Sequence, residues 1–269
     1  MKVWLNGVPA EQISVRDRGL QFGDGVFRTM RCSGAEIILF DAQYERLRHD
    51  ADKLGIVAPT KAMLERWLEP VVGSHGSGPS VIKVILTRGE SERGYAVPEG
   101  IQPNCVVYAQ PVPASGRQWR NEGISARICA TRLAVQPALA GIKHLNRLEN
   151  ILARREWDGG EIAEGLMLDT DGFVVEGVMS NLFFVWQGRL LTPDLSRCGV
   201  AGVMRDAIMR QQATEIGRFE METLLQADEA FVCNSVMGIV PLRRIGDKTF
   251  PIGSVTRSLQ EQWVDTFVE

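Results

Sequence analysis

Short runs of apolar residues separated by turn residues open the chain, a pattern typical of strands joined by turns. They predict an edge strand over residues 2–6 and a hairpin formed by residues 25–31 and 36–40. From Tyr44 to Leu54 the apolar residues recur instead at three- and four-residue steps, which predicts a helix whose N-cap is Asp41. The N-terminal region therefore mixes strands with helices.

The pattern of apolar and polar residues changes near residue 115, which indicates two domains. Before it, the sequence predicts a second helix over residues 60–72, a buried strand over residues 81–86 and another strand over residues 104–109. The proline-containing residues 111–116 then predict a linker, because proline blocks both a helix and a central strand. We therefore expect an N-terminal α/β domain over residues 1–115 and a C-terminal domain over residues 116–269.

The predicted C-terminal domain begins with strict alternation of apolar and polar residues from Ile124 onwards, which predicts a half-buried strand. Helices are predicted over residues 142–157 and 203–216, and a C-terminal helix from residue 256 onwards. The turns of a strand meander are predicted at residues 169–172 and 187–188, and a last strand over residues 230–233. Because the strands cluster in hairpins rather than alternating regularly with helices, we expect an α+β fold with mixed and antiparallel sheets.

Composition narrows the class of protein. The 269 residues include 30 basic and 33 acidic side chains, a net charge of −3, without a block of like charges. A protein that binds nucleic acid or an anionic membrane normally carries a basic excess, so we expect neither partner. No apolar stretch is long enough to span a membrane and the N-terminus lacks the features of a signal peptide, so we expect a cytoplasmic protein.

Residue counts also restrict the chemistry. The five cysteines are odd in number, far apart and never in a C-x-x-C pair, which argues against disulfides and structural zinc. Three histidines leave little for metal chemistry, so we expect no metal. Dinucleotide, P-loop, zinc-protease and hydrolase motifs are absent from the sequence. Six lysines stand against 24 arginines, so chemistry that needs an amine has few candidates.

Lys143 is the first candidate amine, because an apolar segment leads into it and Arg147 follows it. Burial and a neighbouring cation both disfavour the ammonium form, so this lysine is suited to Schiff-base chemistry. A surface lysine at the start of a helix is the alternative interpretation.

Sites for an anion and for a ring nitrogen can be predicted separately. The glycine-rich residues 199–205 lead into a helix and are either a phosphate site or an ordinary glycine loop. Arg46 is either a phosphate clamp or a solvated helix arginine. Glu176 ends a buried strand, where a carboxylate needs a partner such as a protonated ring nitrogen. Together with the lysine amine, these groups indicate pyridoxal phosphate.

Four stretches of the sequence, in their order along the chain, resemble the fold type IV pyridoxal-phosphate enzymes, the class of branched-chain and D-amino acid transaminases and 4-amino-4-deoxychorismate lyases. They are residues 17–27, the segment Glu45-Arg46-Leu47, residues 176–183 and the loop 199–205. The resemblance covers essentially the whole chain. It implies the two-domain fold of that family, with pyridoxal 5'-phosphate bound in the C-terminal domain, and a homodimer that acts on a small-molecule substrate.

The resemblance also implies roles for individual residues. By it, Lys143 binds the cofactor as a Schiff base, Glu176 pairs with the pyridinium nitrogen and Arg46 binds the phosphate. It further implies that the backbone amides of Val203 and Met204 and the hydroxyl of Ser235 contact the phosphate. Many relatives carry threonine where Met204 stands, so we expect only the backbone of this residue to contribute.

Within the family, residues 140–149 and 233–237 resemble the lyases. Phe27 stands where the D-amino acid transaminase uses a tyrosine, and Tyr95 where it uses a histidine. Arg93 is the expected anchor for a substrate carboxylate. The resemblance therefore implies a lyase of folate synthesis that converts 4-amino-4-deoxychorismate to 4-aminobenzoate and pyruvate with Lys143 as the catalytic residue. The alternatives are a D-amino acid or branched-chain aminotransferase on the same scaffold, and a non-catalytic binding protein.

Overall fold

A computed structural model describes residues 2–72, 74 and 78–267, with the backbone alone at residue 265. The chain divides into two compact units. The first unit runs to Val112 and includes Ile142–Asn146, and the second comprises Pro113–Gly141 and the chain from Arg147 onwards. Domains over residues 1–115 and 116–269 remain a proposal, and the first unit also contains the short segment that carries Lys143.

The first unit contains one antiparallel sheet and three helices among its described residues. The helices are α1 (Arg18–Phe22), α2 (Phe40–Lys53) and α3 (Lys61–Leu68). The strands are β1 (Val3–Leu5), β2 (Val8–Pro9), β3 (Gly25–Ser33), β4 (Glu36–Ile37), β5 (Ser80–Thr87) and β6 (Asn104–Pro111). Their order in the sheet is β2-β1-β6-β5-β3-β4, so the long strands β3, β5 and β6 lie in the middle.

The core of this unit lies between the sheet and the two longer helices. Alternate residues of the central strands, among them Met30, Ile82 and Val107, are buried against the helices. Leu47 of α2 and Leu64 of α3 belong to the same core. The helical spacing of apolar residues and the alternation of the strands thus bury one face of each element, as the sequence pattern predicts.

Pairing within this sheet confirms three predicted elements and corrects a fourth. The predicted strands at 81–86 and 104–109 are β5 and β6, and the predicted hairpin is formed by β3 and β4. The strand predicted at 2–6 is β1, but its edge position is wrong, because the turn at Asn6–Gly7 folds β2 back onto it and β2 takes the edge. Phe40 begins α2 rather than ending the hairpin.

The bounds of both helices differ from the prediction. Asp41 lies in the first turn of α2, and the N-cap is Leu39, a left-handed residue (φ 55°) that makes no side-chain capping bond. An acidic residue in the first turn still interacts favourably with the helix dipole. The helix predicted over residues 60–72 is α3, which is capped by Thr60 and ends earlier than expected, at Leu68.

The second unit contains a ten-stranded mixed sheet. Its helices are α4 (Gly116–Glu122), α5 (Leu148–Arg154), α6 (Val203–Gln211), α7 (Met221–Leu225) and α8 (Ser254–Gln262), with a 3-10 turn at Val264–Thr266. Its strands are β7 (Ile124–Leu133), β8 (Ile162–Asp169), β9 (Phe173–Gly177), β10 (Asn181–Trp186), β11 (Arg189–Pro193), β12 (Thr214–Gly217), β13 (Phe219–Glu220), β14 (Glu229–Asn234), β15 (Gly238–Ile245) and β16 (Lys248–Thr249).

Parallel and antiparallel pairs coexist in this sheet, whose order is β12-β11-β10-β14-β15-β7-β8-β9-β13, with β16 on β15. Strand β7 pairs in parallel with β8 and β15, and β12 pairs in parallel with β11. The other neighbouring strands pair antiparallel, and two of these pairs are hairpins at the turns predicted near Gly172 and Gly188. These sheets confirm the predicted α+β class with mixed and antiparallel sheets.

Four predictions for this part of the chain need correction. The linker predicted at residues 111–116 is shorter at both ends, because Pro111 still belongs to β6 and Gly116 already begins α4. The helix predicted over 142–157 is confined to α5, since the residues before it pair with β3. The helix predicted over 203–216 stops at Gln211, because the next residues form β12 beside β11. Strand 230–233 is β14 and is not the last, since β15 and β16 follow.

Candidate active site

Lys143 lies on an extended segment that pairs with the start of β3. The N–H of Phe27 donates to the carbonyl of Lys143 (2.9 Å). The N–H of Leu145 donates to the carbonyl of Gly25 (2.9 Å). The N–H of Lys143 itself donates to Oδ2 of Asp50 (2.9 Å). Because both backbone polar groups of Lys143 have fixed partners, the direction in which its side chain leaves the backbone is also fixed.

The amine of Lys143 ends beside the ring of Phe27. Its Nζ lies 4.6 Å from the ring centroid, and Nζ of Lys83 lies 4.9 Å from the same centroid. An ammonium group is attracted to the face of an aromatic ring. The amines of Lys143 and Lys83 therefore both lie against the half-buried ring of Phe27, which carries no hydroxyl group.

Asp50 is a fully buried carboxylate on α2. It forms an ion pair with Arg28 of β3, and its Oδ1 lies 3.2 Å from Nδ1 of His49. A buried carboxylate is stable only when it is paired and hydrogen-bonded. Because Oδ2 of Asp50 accepts from both Arg28 and the backbone of Lys143, this residue joins α2, β3 and the lysine segment.

Arg46 lies on α2 and is half-buried, one turn before Asp50. Burial lowers the pKa of His49 below its ordinary value, and the positive charges of Arg46, Lys53 and Arg28 act in the same direction. Positive charges near this imidazole suit an anion. The phosphate contact of Arg46 remains a prediction.

Arg93 and Tyr95 lie on the connection between β5 and β6. Both side chains are exposed, Tyr95 to 83%. The ring of Tyr95 packs at an angle on that of Phe22, with the centroids 5.3 Å apart. A guanidinium and a phenol that face solvent in this way are accessible to a substrate.

Glu176 is a buried carboxylate, 3% exposed, near the end of β9 in the second unit. Its Oε2 accepts from the N–H of Val200 (2.9 Å). Burial lowers the pKa of Arg147, while the negative charge of Glu176 acts to raise it, so the two groups interact. Gly199 adopts φ +83°, and a Cβ there would meet Val175 at 2.8 Å, so the loop approaches the strand this closely only with glycine.

The N-terminus of α6 is a candidate anion site. Its N-cap is Gly202, which makes no side-chain capping bond. The first backbone N–H groups of a helix have no acceptor within the helix, and the positive end of the helix dipole lies there. Oδ1 of Asn181 accepts from Gly202 N (3.1 Å) and its Nδ2 donates to the Val200 carbonyl (2.7 Å), which fixes the approach to the helix. The side chains of Val203 and Met204 are buried, so these residues offer their backbone.

Ser235 lies in the turn between β14 and β15 of the same unit. The turn is shaped by Asn234, whose Oδ1 accepts from the N–H groups of Val236 (2.9 Å) and Met237 (2.8 Å). Helix α6 packs against β14. The side chain of Ser235 is half-buried, and its phosphate contact remains a prediction.

The predicted residues thus form two groups, one in each unit. In the first unit, Lys143 and Phe27 are in direct contact. In the second unit, Glu176 contacts the glycine-rich loop that leads to α6. The groups offer an amine, backbone N–H groups for an anion, and a buried carboxylate. Groups of these types bind, respectively, an aldehyde, a phosphate and a protonated ring nitrogen.

Sequence reasoning missed three residues of these groups, Asp50, Lys83 and Asn181. Lys83 left a signal, because it interrupts the apolar run from Val81 to Leu86. Asp50 left a weaker one, because Leu47 and Ala51 of the predicted apolar face lie next to it on the helix. Asn181 left no signal, because asparagine is a common turn residue and is ordinary at the start of a strand. Only its contacts with the loop before α6 reveal its role.

The described part of the chain contains neither a metal site nor a membrane-spanning helix. Histidine, cysteine, aspartate and glutamate side chains form no group there that could hold a metal ion. None of the helices described is both long and apolar enough to cross a membrane.

Comparisons with known proteins agree with this geometry. The sequence model of class IV aminotransferases matches residues 25–245. An aminodeoxychorismate lyase of Vibrio harveyi is 35% identical over 96% of this chain and 97% of its own length. The crystal structure of 4-amino-4-deoxychorismate lyase from Pseudomonas aeruginosa superimposes with a TM-score of 0.93, at 44% identity over 98% of both chains. A putative branched-chain-amino-acid aminotransferase of Methanocaldococcus jannaschii is 29% identical over 98% of this chain and 96% of its own.

Proposed function

The chain belongs to the class IV aminotransferase family, and on that premise we propose that it is a lyase that converts 4-amino-4-deoxychorismate to 4-aminobenzoate and pyruvate. The observation that carries this proposal is the 44% identity with a lyase of known structure over 98% of both chains. The step belongs to folate synthesis. Its chemistry requires a proton to leave the ring carbon that bears the amine and the enolpyruvyl group to leave the neighbouring carbon.

The residues present fit pyridoxal 5'-phosphate as the cofactor. We assign its covalent attachment to Lys143 and its phosphate to Arg46 and the start of α6. The other cofactor contacts in the proposal are Glu176, Val203, Met204 and Ser235. The buried carboxylate of Glu176 fits a protonated ring nitrogen, because a second buried charge stabilises it. When bound, the cofactor supplies an electron-poor ring that accepts the electron pair released at the substrate carbon.

Lys143 is the group that moves the proton. Its Nζ would remove the proton from the amine-bearing carbon and return a proton to the enolpyruvyl group, which leaves as pyruvate. The fixed backbone contacts with Asp50 and Phe27 limit the positions that Nζ can reach. Glu176 keeps a proton at the ring nitrogen throughout. Loss of the C–H and C–O bonds makes the ring aromatic, which drives the reaction.

We assign substrate contacts to Phe27, Arg93 and Tyr95. The guanidinium of Arg93 suits a substrate carboxylate. Phe27 offers a ring face beside the amine and no hydroxyl to bind the carboxylate of a small amino acid. Lys83 brings a second positive charge to the same ring and suits a second carboxylate of the substrate.

An aminotransferase is the runner-up function. The similarity to a putative branched-chain-amino-acid aminotransferase favours it. It differs in outcome, because a transaminase accepts the amine of D-alanine or of a branched-chain amino acid and leaves the cofactor in its amine form.

Product analysis of the purified holoenzyme decides between them. With aminodeoxychorismate we expect 4-aminobenzoate and pyruvate in equal amounts, and with D-alanine or leucine no comparable turnover. The variant Lys143→Ala should lose at least about a thousandfold in rate, because it removes the group that moves the proton. Lys248→Ala, which removes an exposed lysine of β16, is the matched control and should leave the rate unchanged. Fast transamination without 4-aminobenzoate would contradict the lyase assignment.

The proposal includes a cytoplasmic homodimer. All five cysteines are free and buried, which accords with a reducing compartment. Helix α5 exposes three apolar side chains, Leu148 (71%), Ile151 (54%) and Leu152 (51%). A contiguous apolar surface of this kind is typical of an interface between subunits.

A further inference from the structure

Arg18 is a buried arginine, 3% exposed, that belongs to neither group of predicted site residues. Its guanidinium faces the connection between β5 and β6 from within. Nη1 donates to Oγ of Ser91 (3.0 Å) and to the carbonyls of Gly94 (3.2 Å) and Ala96 (3.3 Å), and Nη2 donates to the carbonyl of Tyr95 (3.1 Å). Three consecutive carbonyls thus converge on one side chain.

The segment that Arg18 contacts, the arginine loop, comprises residues 89–96 and contains Arg93. It starts from a fixed point, because the N–H of Arg18 donates to the carbonyl of Gly89 (2.8 Å). At Gly89, φ is +98° and a Cβ would lie 1.9 Å from the carbonyl oxygen of Gln102, so only glycine fits. The loop therefore has its start fixed by backbone contacts and its second half fixed by the Arg18 side chain.

Arg18 is in turn held by a buried ion network. Its Nε donates to Oδ2 of Asp24 (2.8 Å), which also accepts from Nε of Arg88 (2.7 Å). Arg88 donates to the carbonyls of Gly55 (2.8 Å) and Leu54 (2.6 Å) at the end of α2. The guanidinium of Arg18 also lies 5.1 Å from the centroid of the Phe22 ring. The contacts with Asp24 and Phe22 therefore fix the orientation of the Arg18 guanidinium from the side that faces away from the arginine loop.

We propose that Arg18 is a positioning residue that holds the arginine loop in the shape in which Arg93 and Tyr95 face the substrate. The carbonyls of Gly94, Tyr95 and Ala96 are bound to Arg18, while the side chains of Arg93 and Tyr95 are exposed. A planar guanidinium donates in several directions at once, whereas an ammonium group on a flexible stem cannot bridge three carbonyls in the same way. This inference rests on the proposed contact of Arg93 with a substrate carboxylate.

The test compares steady-state kinetics of the holoenzyme with Arg18→Lys and Arg93→Gln, alone and combined. We expect Arg18→Lys to raise KM for aminodeoxychorismate about tenfold and leave kcat within about twofold, because misplacement of a binding group affects substrate binding and not the proton transfer. The double variant should raise KM by less than the product of the two single effects, because Arg18 acts in part through Arg93.

Arg16→Ala is the matched control. Arg16 also faces the arginine loop, but from the solvent side, with its side chain 61% exposed beside Glu90 and Glu92. Exposed ion pairs contribute little, so its KM should equal that of the wild type. Ser91→Ala, which removes a single contact of Arg18, gives a second variant with less effect on folding. It should raise KM in the same direction by about threefold.

Tryptic cleavage after Arg93 gives a readout that does not depend on activity. A looser loop is cut faster, so we expect cleavage at this bond to rise about tenfold in Arg18→Lys and to stay unchanged in Arg16→Ala. Wild-type KM in both Arg18→Lys and Ser91→Ala, with KM raised in Arg93→Gln, would refute the positioning role and leave the proposed function intact. Wild-type KM in Arg93→Gln would instead refute the substrate contact on which the inference rests.

Discussion

Asp24 is one carboxylate shared by two buried arginines, Arg18 and Arg88. Burial acts to raise its pKa, but the hydrogen bonds and positive charges of Arg88 and Arg18 outweigh it and hold the pKa below the ordinary value of 3.8. A carboxyl with a depressed pKa stabilises the folded state when it is ionised. This stabilisation is present above the ordinary pKa and is lost as the pH falls through the lower, folded-state value.

The variant Asp24→Asn should therefore be less stable than the wild type by about 3 kcal/mol near neutral pH, because it leaves two buried guanidinium groups without their counter-charge. The difference should shrink as the pH falls below 3.8, where the wild-type carboxyl also becomes protonated. Urea unfolding followed at a series of pH values measures the free energy of unfolding of both proteins.

The matched control for this variant is Asp171→Asn. Asp171 also contacts two arginines, Arg197 and Arg218, but it is exposed. Solvent screening makes such pairs weak, so this variant should change stability much less. Equal losses in the two variants, or a loss in Asp24→Asn that does not depend on pH, would contradict the role of burial.

At the scale of single elements, the start of α6 depends on how closely its neighbours approach. A Cβ at Gly202 would lie 2.2 Å from Oδ1 of Asn181, the same atom that accepts from the Gly202 N–H. The two residues therefore fit together only while position 202 has no side chain. The loop from Val200 to the helix is set by this contact.

Gly202→Ala should displace Asn181 and turn the first N–H groups of α6 away from their present direction. We expect affinity for pyridoxal 5'-phosphate to fall about tenfold, the effect of one lost hydrogen bond to a charged group. Titration of the apoenzyme with the cofactor, followed by protein fluorescence, measures it. Gly78→Ala is the control, because no described residue lies within 4 Å of a Cβ placed there, so this position should tolerate a methyl group. Unchanged affinity in Gly202→Ala would contradict the assignment of the phosphate to this helix.

Helix α5 shows how tertiary contacts override a helical pattern. Apolar residues spaced for a helix predict one from residue 142, but α5 begins at Leu148. The N–H of Leu145 and the carbonyl of Lys143 are instead used in pairing with β3. A strand pair satisfies these backbone groups as well as a helix does, so periodicity alone cannot decide between them.

At the scale of the whole molecule, the same helix carries the proposed subunit interface. Its exposed face includes Leu148, Ile151 and Leu152, and burial of one such side chain contributes about 1.5–3 kcal/mol. A monomer that leaves several of these side chains exposed lacks this stabilising free energy for each of them. This apolar face of α5 is exposed in the isolated chain.

Ile151→Asp should convert the proposed dimer to a monomer, because a charge would be buried in an apolar interface without a partner. Light scattering coupled to gel filtration at one protein concentration measures the molar mass. Val57→Asp is the control, since Val57 is 74% exposed outside this face and should leave the dimer intact. A monomeric wild type would refute the dimer, and a dimeric Ile151→Asp would refute the assignment of α5 to its interface.

The sequence by itself determined the alternation of strands and the α+β class, because strand and helix periods are local properties of the chain. It also indicated the amine, carboxylate and glycine loop, since each has a chemical identity that is independent of folding. Tertiary structure decided which groups surround them. Asp50 lies 93 residues from Lys143 in the chain and yet accepts its backbone N–H. Arg18 reaches a loop more than 70 residues away. Such contacts depend on how distant elements pack, and no local pattern encodes that packing.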